Sequence, residues 1–243
     1  MLRLILDLLF LIIFFIISIP LFLIEWIIGR FSHRKMVASS QWIVVRAFKV
    51  LMLISGIKRT VIGRENIPKK EAVLYVSNHR SYFDVPVAYS YLPNLTGFMA
   101  KKEIARIPFL RTWMRFLQCL FLDREDIKQG LKTVLKGIEQ IKSGYSVFIA
   151  PEGTRNHGKE MLPFKEGSFK MSEKTGCAII PVALSNTDEI FENHFPRVKA
   201  THVVIEFGKP IYPDSLDKEQ RKFLGTYVQG IIKDMLDKNS TLV

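Results

Sequence analysis

Apolar residues change to polar ones without a break in the segment Val73-Leu74-Tyr75-Val76-Ser77-Asn78-His79-Arg80-Ser81-Tyr82-Phe83-Asp84. Its apolar start predicts a buried strand, because short apolar runs bounded by polar residues are typical of strands inside a sheet. A second segment, SVFIAPEGTR over residues 146–155, has the same organisation. Polar side chains just past the ends of buried strands are where α/β proteins bind their ligands. The two segments therefore predict an α/β fold with chemistry at strand ends.

The chain from Thr60 onward supports this fold class, because short runs rich in Val, Ile and Phe alternate with longer helical patterns. No internal repeat and no long linker divides this part of the chain. We predict strands near residues 60–64, 73–77, 95–100, 119–123, 146–150, 178–184 and 202–207.

Two helices stand out in the same region. Glu125–Ser143 has apolar residues at helical spacing, and Gly144 ends the pattern. A last helix is predicted over Asp217–Leu236. The apolar positions of the first helix are Ile127, Leu131, Val134, Leu135, Ile138 and Ile141.

The N-terminal region indicates membrane attachment. Leu8–Ile24 contains no charge, and the longer run Leu4–Ile28 is interrupted only by Asp7 and Glu25. As a helix the uncharged run covers roughly 26 Å, slightly less than the ~30 Å of a bilayer's hydrocarbon core. A cleaved signal peptide fits poorly, because the apolar run is long and no small-residue cleavage site follows it. The helix either ends at the far surface or bends back beside the next one.

The charge of the chain is concentrated beside this apolar segment. The chain has a net charge of +12, and between residues 30 and 70 ten Lys and Arg residues face only Glu65. Such a cluster attracts anionic lipid headgroups and, if the first helix spans the bilayer, places the following domain in the cytoplasm. We therefore predict a location at the cell membrane, with the folded domain on the cytoplasmic side.

Residues 36–57 form a second apolar stretch, in which Arg46 and Lys49 lie one turn apart. The pattern fits an interfacial amphipathic helix that completes the anchor, or a core helix of the soluble domain. The division expected is an N-terminal membrane anchor over residues 1–58 and a second domain over residues 59–243.

His79 and Asp84 form a candidate acid–base pair. Their separation allows a turn that leads into a helix to bring the carboxylate back to one imidazole nitrogen. Asp84 would then fix the tautomer of His79, whose other nitrogen accepts a proton from a hydroxyl nucleophile. The alternative is a hydrogen-bonded turn without catalytic function.

Cations follow several of the predicted strands. Arg155 could grip a phosphate in two places, while Gly153 permits close backbone approach and Thr154 adds a hydroxyl. Arg124 follows another strand, and Lys101 and Lys102 follow a third. Each cation alone could be a solvated surface charge, but several at one sheet edge suit a phosphate monoester.

Other chemistries lack their sequence signals. Cys119 and Cys177 are too far apart for a CxxC pair and too few for a disulfide framework. No GxSxG elbow, histidine metal-ligand spacing, Walker A motif or GxGxxG motif is present. Because the excess charge lies beside an apolar helix and no recognition motif accompanies it, we predict no nucleic-acid binding. No metal ion and no cofactor are expected.

Four blocks, NHRSYFD, FLDR, PEGTR and IIPVAL, occur in this order between Asn78 and Leu184. With the apolar N-terminus and FKEG at Phe164–Gly167, they make the chain resemble the 1-acylglycerol-3-phosphate acyltransferase (lysophosphatidate acyltransferase, PlsC-type) family of glycerolipid acyltransferases. The family's blocks read approximately NHxxxxD (the HX4D motif), F-x-x-R, EGTR and a proline between Val or Ile residues. The resemblance implies a mixed sheet flanked by helices, preceded by a membrane-associated helical segment.

The resemblance also implies roles for single residues. His79 is the general base and Asp84 its partner, while Arg124 and the EGTR residues hold the acceptor's phosphate and glycerol. Pro181 either shapes an acyl-chain channel or supports the sheet, and Lys101 and Lys165 are weaker candidates for contacts with phosphate or carrier. The expected substrate-binding residues are Asn78, Lys101, Arg124, Glu152, Gly153, Thr154, Arg155, Lys165 and Pro181.

The implied reaction transfers an acyl chain from acyl-CoA or an acyl carrier protein to the sn-2 hydroxyl of lysophosphatidate, giving phosphatidate without an acyl-enzyme. The partners are therefore anionic membrane lipids, lysophosphatidate and the thioester donor. Asn156 and His157 depart from the family, in which serine is common after EGTR, and leave the acceptor open. The alternatives are glycerol 3-phosphate or a lyso-aminolipid as acceptor, or a catalytically silent lipid-binding protein.

Overall fold

The computed structural model describes residues 1–158 and 160–243, and in this part of the chain seven strands form one sheet in the order β1-β7-β6-β2-β5-β3-β4. All seven predicted strands are confirmed, with ends that differ by at most two residues. Their bounds are β1 (Lys58–Ile62), β2 (Leu74–Ser77), β3 (Thr96–Lys101), β4 (Leu120–Leu122), β5 (Ser146–Ile149), β6 (Ile179–Ser185) and β7 (His202–Phe207).

The sheet is mixed, as the resemblance implied. Strands β2 to β6 are parallel to one another, whereas β7 is antiparallel to β6 and pairs in parallel with β1. Strand β2 lies between β5 and β6, with Val76 opposite both Ile149 and Pro181. The polar segments that follow β2 and β5 therefore leave the sheet side by side.

Helices cover both faces of the sheet. Their bounds are α1 (Leu2–Phe31), α2 (His33–Ile54), α3 (Asp84–Tyr89), α4 (Pro108–Phe116), α5 (Ile127–Lys142), α6 (Lys170–Thr175), α7 (Lys218–Lys222) and α8 (Leu224–Asn239). Residues from α1 to α4 pack on the face that carries Tyr75, and residues from α5, α6 and α8 pack on the face that carries Leu74 and Val76. Because both faces are buried, β2 and β6 are nearly continuous apolar runs.

Helices α1 and α2 form an antiparallel hairpin that turns at Ser32, so the first helix bends back beside the second. Glu25 accepts hydrogen bonds from the hydroxyls of Ser39 (2.7 Å) and Ser40 (3.1 Å) near the turn. At the other end the Ser55 hydroxyl donates to Asp7 at 3.0 Å. The two charges that interrupt the apolar run thus join the helices to each other.

The inner side of α1 combines buried polar residues with phenylalanines that pack on the core, whereas its outer side is apolar and exposed. Asp7, Ser18 and Glu25 are buried, whereas most of its Leu and Ile residues are exposed. Both α1 and α2 are long and apolar enough to cross a membrane by length and composition. Helix α2 also contributes Val44 and Met52 to the core, as the core-helix alternative expected.

The C-terminal helix differs from its prediction, because Phe223 interrupts it and separates α7 from α8. Phe223 has a non-helical backbone (φ −117°, ψ 48°). The carboxylate of Glu166 accepts the Gly225 amide at 3.0 and 3.1 Å and so caps the start of α8. This cap comes from a distant part of the chain, which explains why the local pattern predicts one continuous helix.

The predicted helix α5 is confirmed, but only some of its apolar residues are buried. Ile138 and Ile141 are buried against the sheet. Ile127, Leu131 and Leu135 instead face solvent. The helical periodicity is correct, although half of the stripe lies outside the core.

Candidate active site

His79 and Asp84 are joined by a hydrogen bond at the carboxyl end of β2. The turn after β2 brings Asp84, the first residue of α3, back to the imidazole, so that Asp84 Oδ2 lies 2.8 Å from His79 Nδ1. Asp84 is 4% exposed, while about a quarter of the His79 side chain is exposed. Because an ionised carboxylate only accepts, Nδ1 carries the proton and Nε2 is free to act as a base.

The Asp84 carboxylate is held by the turn itself and by a distant threonine. Oδ2 also accepts the amides of Arg80 (2.8 Å) and Ser81 (2.9 Å). Oδ1 accepts the Thr187 hydroxyl at 2.6 Å. Hydrogen bonds of this kind fix the orientation of the carboxylate. The His79–Asp84 pair is therefore held rigidly in the turn between β2 and α3.

Glu152 supports the turn rather than facing an open pocket. Its carboxylate is buried, with one oxygen accepting the His79 amide (2.8 Å) and the other the Leu162 amide (2.9 Å). The backbone amide of Asn156 in turn donates to the His79 carbonyl at 2.8 Å. Glu152 therefore links the first and third blocks of the site.

The side chain of Asn78 connects β2 to β6. Its amide nitrogen donates to the Leu184 carbonyl and its amide oxygen accepts the Leu184 N–H, both at 2.9 Å. The side chain is 1% exposed. It continues the pairing of β2 with β6 beyond the last backbone bond, and so fixes the start of the turn that carries His79.

Arg155 lies beside the first block, as expected for an anion-binding residue. Its guanidinium carbon is 3.5 Å from the ring centroid of Tyr82, and Nη2 donates to the Tyr82 hydroxyl at 2.8 Å. Nη1 is 3.5 Å from a carboxylate oxygen of Glu192. The side chain stays 28% exposed, so part of the guanidinium is open to a ligand, and Thr154 beside it is exposed.

Arg124, Gly153 and Lys165 border one small cavity of about 40 Å³ at the ends of β3, β4 and β5. Gly153 has φ +76°, a backbone conformation that favours glycine, and a Cβ there would lie 2.9 Å from Lys165 Nζ, so the lysine side chain would have to move. Burial lowers the pKa of Arg124, against the opposing effect of Glu103. Arg124 nevertheless stays charged, because an arginine pKa lies far above neutral pH.

The remaining two predicted residues lie at the margin of this site. Lys101 is half exposed at the end of β3, 3.6 Å from a carboxylate oxygen of Glu103. Pro181 is buried within β6, and its carbonyl accepts the Gly208 amide at 2.8 Å just after β7 has ended. A proline fits there because the ladder is interrupted, which favours the sheet-supporting role.

Three residues near the site were not predicted: Tyr82, Thr187 and Glu192. Thr187 and Glu192 lie beyond the fourth block, in the segment after β6, and contact the first block only through the fold. Tyr82 occupies a variable position of the NHxxxxD pattern, where the pattern carries no information. A polar segment directly after a buried strand is the signal that could have indicated Thr187.

The cysteines and metal-binding side chains offer no competing centre. Burial raises the pKa of Cys119 to about 12 and also raises the pKa of Cys177, so both thiols are protonated at neutral pH. Within residues 1–158 and 160–243, no group of His, Cys, Asp and Glu side chains could hold a metal ion.

Comparison with known proteins places the site within a family. The Acyltransferase family model matches residues 58–185, which is more than half of the chain. The chain is 31% identical to a 1-acyl-sn-glycerol-3-phosphate acyltransferase of Saccharomyces cerevisiae, over 82% of this chain and 65% of the relative. A Haemophilus influenzae protein of the same name is 30% identical, over 80% of this chain and 81% of the relative.

A third relative of that name, from Borreliella burgdorferi, is 38% identical over 62% of this chain and 60% of the relative. The chain thus spans less than two thirds of the length of the yeast and Borreliella proteins. The crystal structure of the 1-acyl-sn-glycerophosphate acyltransferase PlsC from Thermotoga maritima has the same fold, with a TM-score of 0.77, 24% identity and 98% coverage of both chains. With its ordered blocks, its His79–Asp84 pair and this family match, the chain belongs to the Acyltransferase family.

Proposed function

We propose that this protein transfers a fatty acyl chain from a thioester to the sn-2 hydroxyl of 1-acylglycerol 3-phosphate, giving phosphatidate. The observation that carries the proposal is the His79–Asp84 pair, set at a strand end beside Arg155 and the cavity of Arg124 and Lys165. The names of the relatives support the choice of acceptor.

The chemical step needs one base and no protein nucleophile. His79 Nε2 takes the proton of the sn-2 hydroxyl as its oxygen attacks the thioester carbonyl carbon. The tetrahedral adduct then expels the thiolate, which receives that proton from the imidazolium and leaves as a thiol. Asp84 stabilises the imidazolium without being protonated, a type of catalysis worth about 10² to 10⁴ in rate.

The acceptor's phosphate is held by cations. Arg155 offers part of its guanidinium to solvent, and a guanidinium can bind two phosphate oxygens at once. Arg124 and Lys165 border the neighbouring cavity, and Gly153 lets a ligand approach the backbone between them. Lys101 at the end of β3 and Thr154 next to Arg155 are further candidates for phosphate contacts. Acyl-CoA and acyl carrier protein both remain candidate donors, and no cofactor takes part.

Membrane attachment explains how the enzyme reaches its lipid substrates. The outer side of α1 is apolar although the helix lies against the protein, which suits contact with lipid rather than water. Moving a lysolipid chain into water costs about 0.8 kcal/mol for each methylene exposed, so a site at the bilayer avoids that cost. Within the proposal, residues 1–58 anchor the protein to the cell membrane and residues 59–243 form the catalytic domain on the cytoplasmic side.

The test is thiol release by purified protein in detergent, from acyl-CoA and separately from acyl carrier protein, with and without lysophosphatidate. We expect release that depends on lysophosphatidate and falls by about 10³-fold or more in His79→Ala. The matched control is His33→Ala, which removes an exposed imidazole at the start of α2. Acceptor-dependent release that survives in His79→Ala contradicts the assigned base, and no release with either donor contradicts the activity.

A further inference from the structure

Glu192 joins two blocks of the site although it lies outside all four blocks. It lies in the segment between β6 and β7, and its side chain is 7% exposed. One carboxylate oxygen accepts the Tyr82 amide at 2.7 Å and lies 3.5 Å from Arg155 Nη1. The other oxygen accepts the Ser81 hydroxyl at 2.8 Å. One buried carboxylate thus contacts both the turn after His79 and the arginine of the third block.

The arginine is held from a second side by an aromatic ring. The Arg155 guanidinium stacks on Tyr82 at 3.5 Å and donates to its hydroxyl at 2.8 Å. A free arginine side chain loses considerable rotational freedom when it binds a ligand. Held between Tyr82 and Glu192, Arg155 has already lost that freedom, and among residues 1–158 and 160–243 only two of its five N–H groups have a partner.

We infer that Tyr82 and Glu192 form a clamp that orients Arg155 for the phosphate of the acceptor. Glu192 touches no reacting atom, so it is a positioning residue that acts through Arg155 and Ser81. The inference rests on the proposed function, because it takes the phosphate of lysophosphatidate as the ligand of Arg155.

The contacts of Glu192 distinguish it from an ordinary surface ion pair. Exposed pairs contribute little, but this carboxylate is buried and accepts two short hydrogen bonds from the first-block turn. The Ser81 amide in that turn also holds Asp84. Removing the Glu192 carboxylate should therefore release Arg155 and loosen the turn that carries the base.

The experiment measures steady-state kinetics with lysophosphatidate and the thioester donor varied separately. In Glu192→Ala we expect the KM for lysophosphatidate to rise by about 10-fold and kcat to fall several-fold, because hydrogen bonds to a charged group are lost. The KM for the donor should stay within about twofold, since no donor contact is removed. Glu192→Gln keeps an oxygen for the Tyr82 amide and should recover most of kcat.

Two variants of Tyr82 test the aromatic side of the clamp. Tyr82→Leu removes the ring and should raise the acceptor KM more than Tyr82→Phe, which removes the hydroxyl alone. Glu189→Ala is the matched control, because Glu189 lies in the same segment but contacts Asn193, His194 and Lys199. Equal changes of donor and acceptor KM in Glu192→Ala, or no change in either, overturn the clamp.

A binding measurement separates this inference from the proposed function. Titration calorimetry in detergent compares lysophosphatidate with a monoacylglycerol that lacks the phosphate. We expect Glu192→Ala to weaken lysophosphatidate binding by about 10-fold and to leave the monoacylglycerol unchanged. Wild-type protein that binds lysophosphatidate but releases no thiol overturns the proposed activity, and the same comparison of Kd values then decides the clamp. Wild-type protein that neither binds nor reacts overturns both.

Discussion

Arg155 has two protein partners and still keeps part of its guanidinium open to solvent. Arg155→Ala should raise the KM for lysophosphatidate by about 10- to 100-fold, because a bidentate charged contact to phosphate is lost. The KM for the donor should hardly change. Separate titration of the two substrates measures this, with Arg197→Ala as a matched control from outside the site. An unchanged acceptor KM would remove Arg155 from phosphate binding.

The thiol of Cys119, which packs partly buried against the core on the face of the sheet that carries Tyr75, tests how well that packing excludes solvent. Its pKa of about 12 means that roughly one thiol in 10⁴ is ionised at pH 8. Because only the thiolate reacts, iodoacetamide at pH 8 should leave Cys119 unmodified in the folded protein. In urea the pKa falls to its ordinary value and mass spectrometry should show alkylation within minutes. Fast alkylation of Cys119 without urea would contradict the burial described here.

Some residue roles in the site could be predicted from the neighbouring sequence, and others could not. His79 and Asp84 could be paired from sequence, because a short turn is enough to bring them together. Glu152 could be located but not assigned, since its partners are the amides of His79 and Leu162 rather than any side chain. Glu192 could not be located at all, because its contacts with Ser81 and Arg155 arise from the packing of separate loops.

At the scale of elements, α1 is joined to α4 by aromatic contacts. Trp113 lies 5.8 Å from the ring of Phe14 and 5.3 Å from that of Phe22, and its indole N–H donates to Ser18 at 2.8 Å. Removing residues 1–31 should therefore lower Tm in detergent by several degrees and promote aggregation, because a buried tryptophan becomes exposed.

The matched control for this truncation is Leu9→Ser, which changes the outer side of α1. This variant should keep the Tm of the wild type and lose affinity for lipid vesicles. A truncated protein with unchanged Tm would show that α1 contributes nothing to the stability of the sheet domain.

The elements themselves are largely predictable, and the exceptions have physical causes. Strands buried on both faces are continuous apolar runs, so β2, β5 and β6 are visible in the sequence. The break between α7 and α8 is not visible in the sequence, because the cap at Gly225 comes from the distant residue Glu166. The hairpin of α1 and α2 also depends on hydrogen bonds between polar side chains of the two helices. A hydropathy pattern does not show which of these side chains will pair.

At the scale of the whole molecule, charge and apolar surface lie at the same end of the chain. Ten Lys and Arg residues lie between positions 30 and 70, beginning with Arg30 in the last turn of α1. Each basic residue near an anionic membrane contributes about 1 kcal/mol, and salt weakens that attraction. The protein should therefore bind phosphatidylglycerol vesicles more tightly than phosphatidylcholine vesicles, and the difference should shrink as salt is raised. Equal flotation with both lipids at low salt would contradict this.

The contact between Ser18 and Trp113 also sets an order of events during synthesis. The two residues are 95 positions apart, so at about 5 to 20 residues per second the ribosome needs roughly 5 to 20 s to deliver the tryptophan after the serine. Helix α1 has to exist through that interval without its inner partner. Meanwhile the Ser18 hydroxyl can donate to the Phe14 carbonyl of its own helix, 2.7 Å away, which keeps it satisfied in an apolar surrounding. The nascent helix can thus settle at the bilayer first, and the sheet can then assemble against a segment that is already in place.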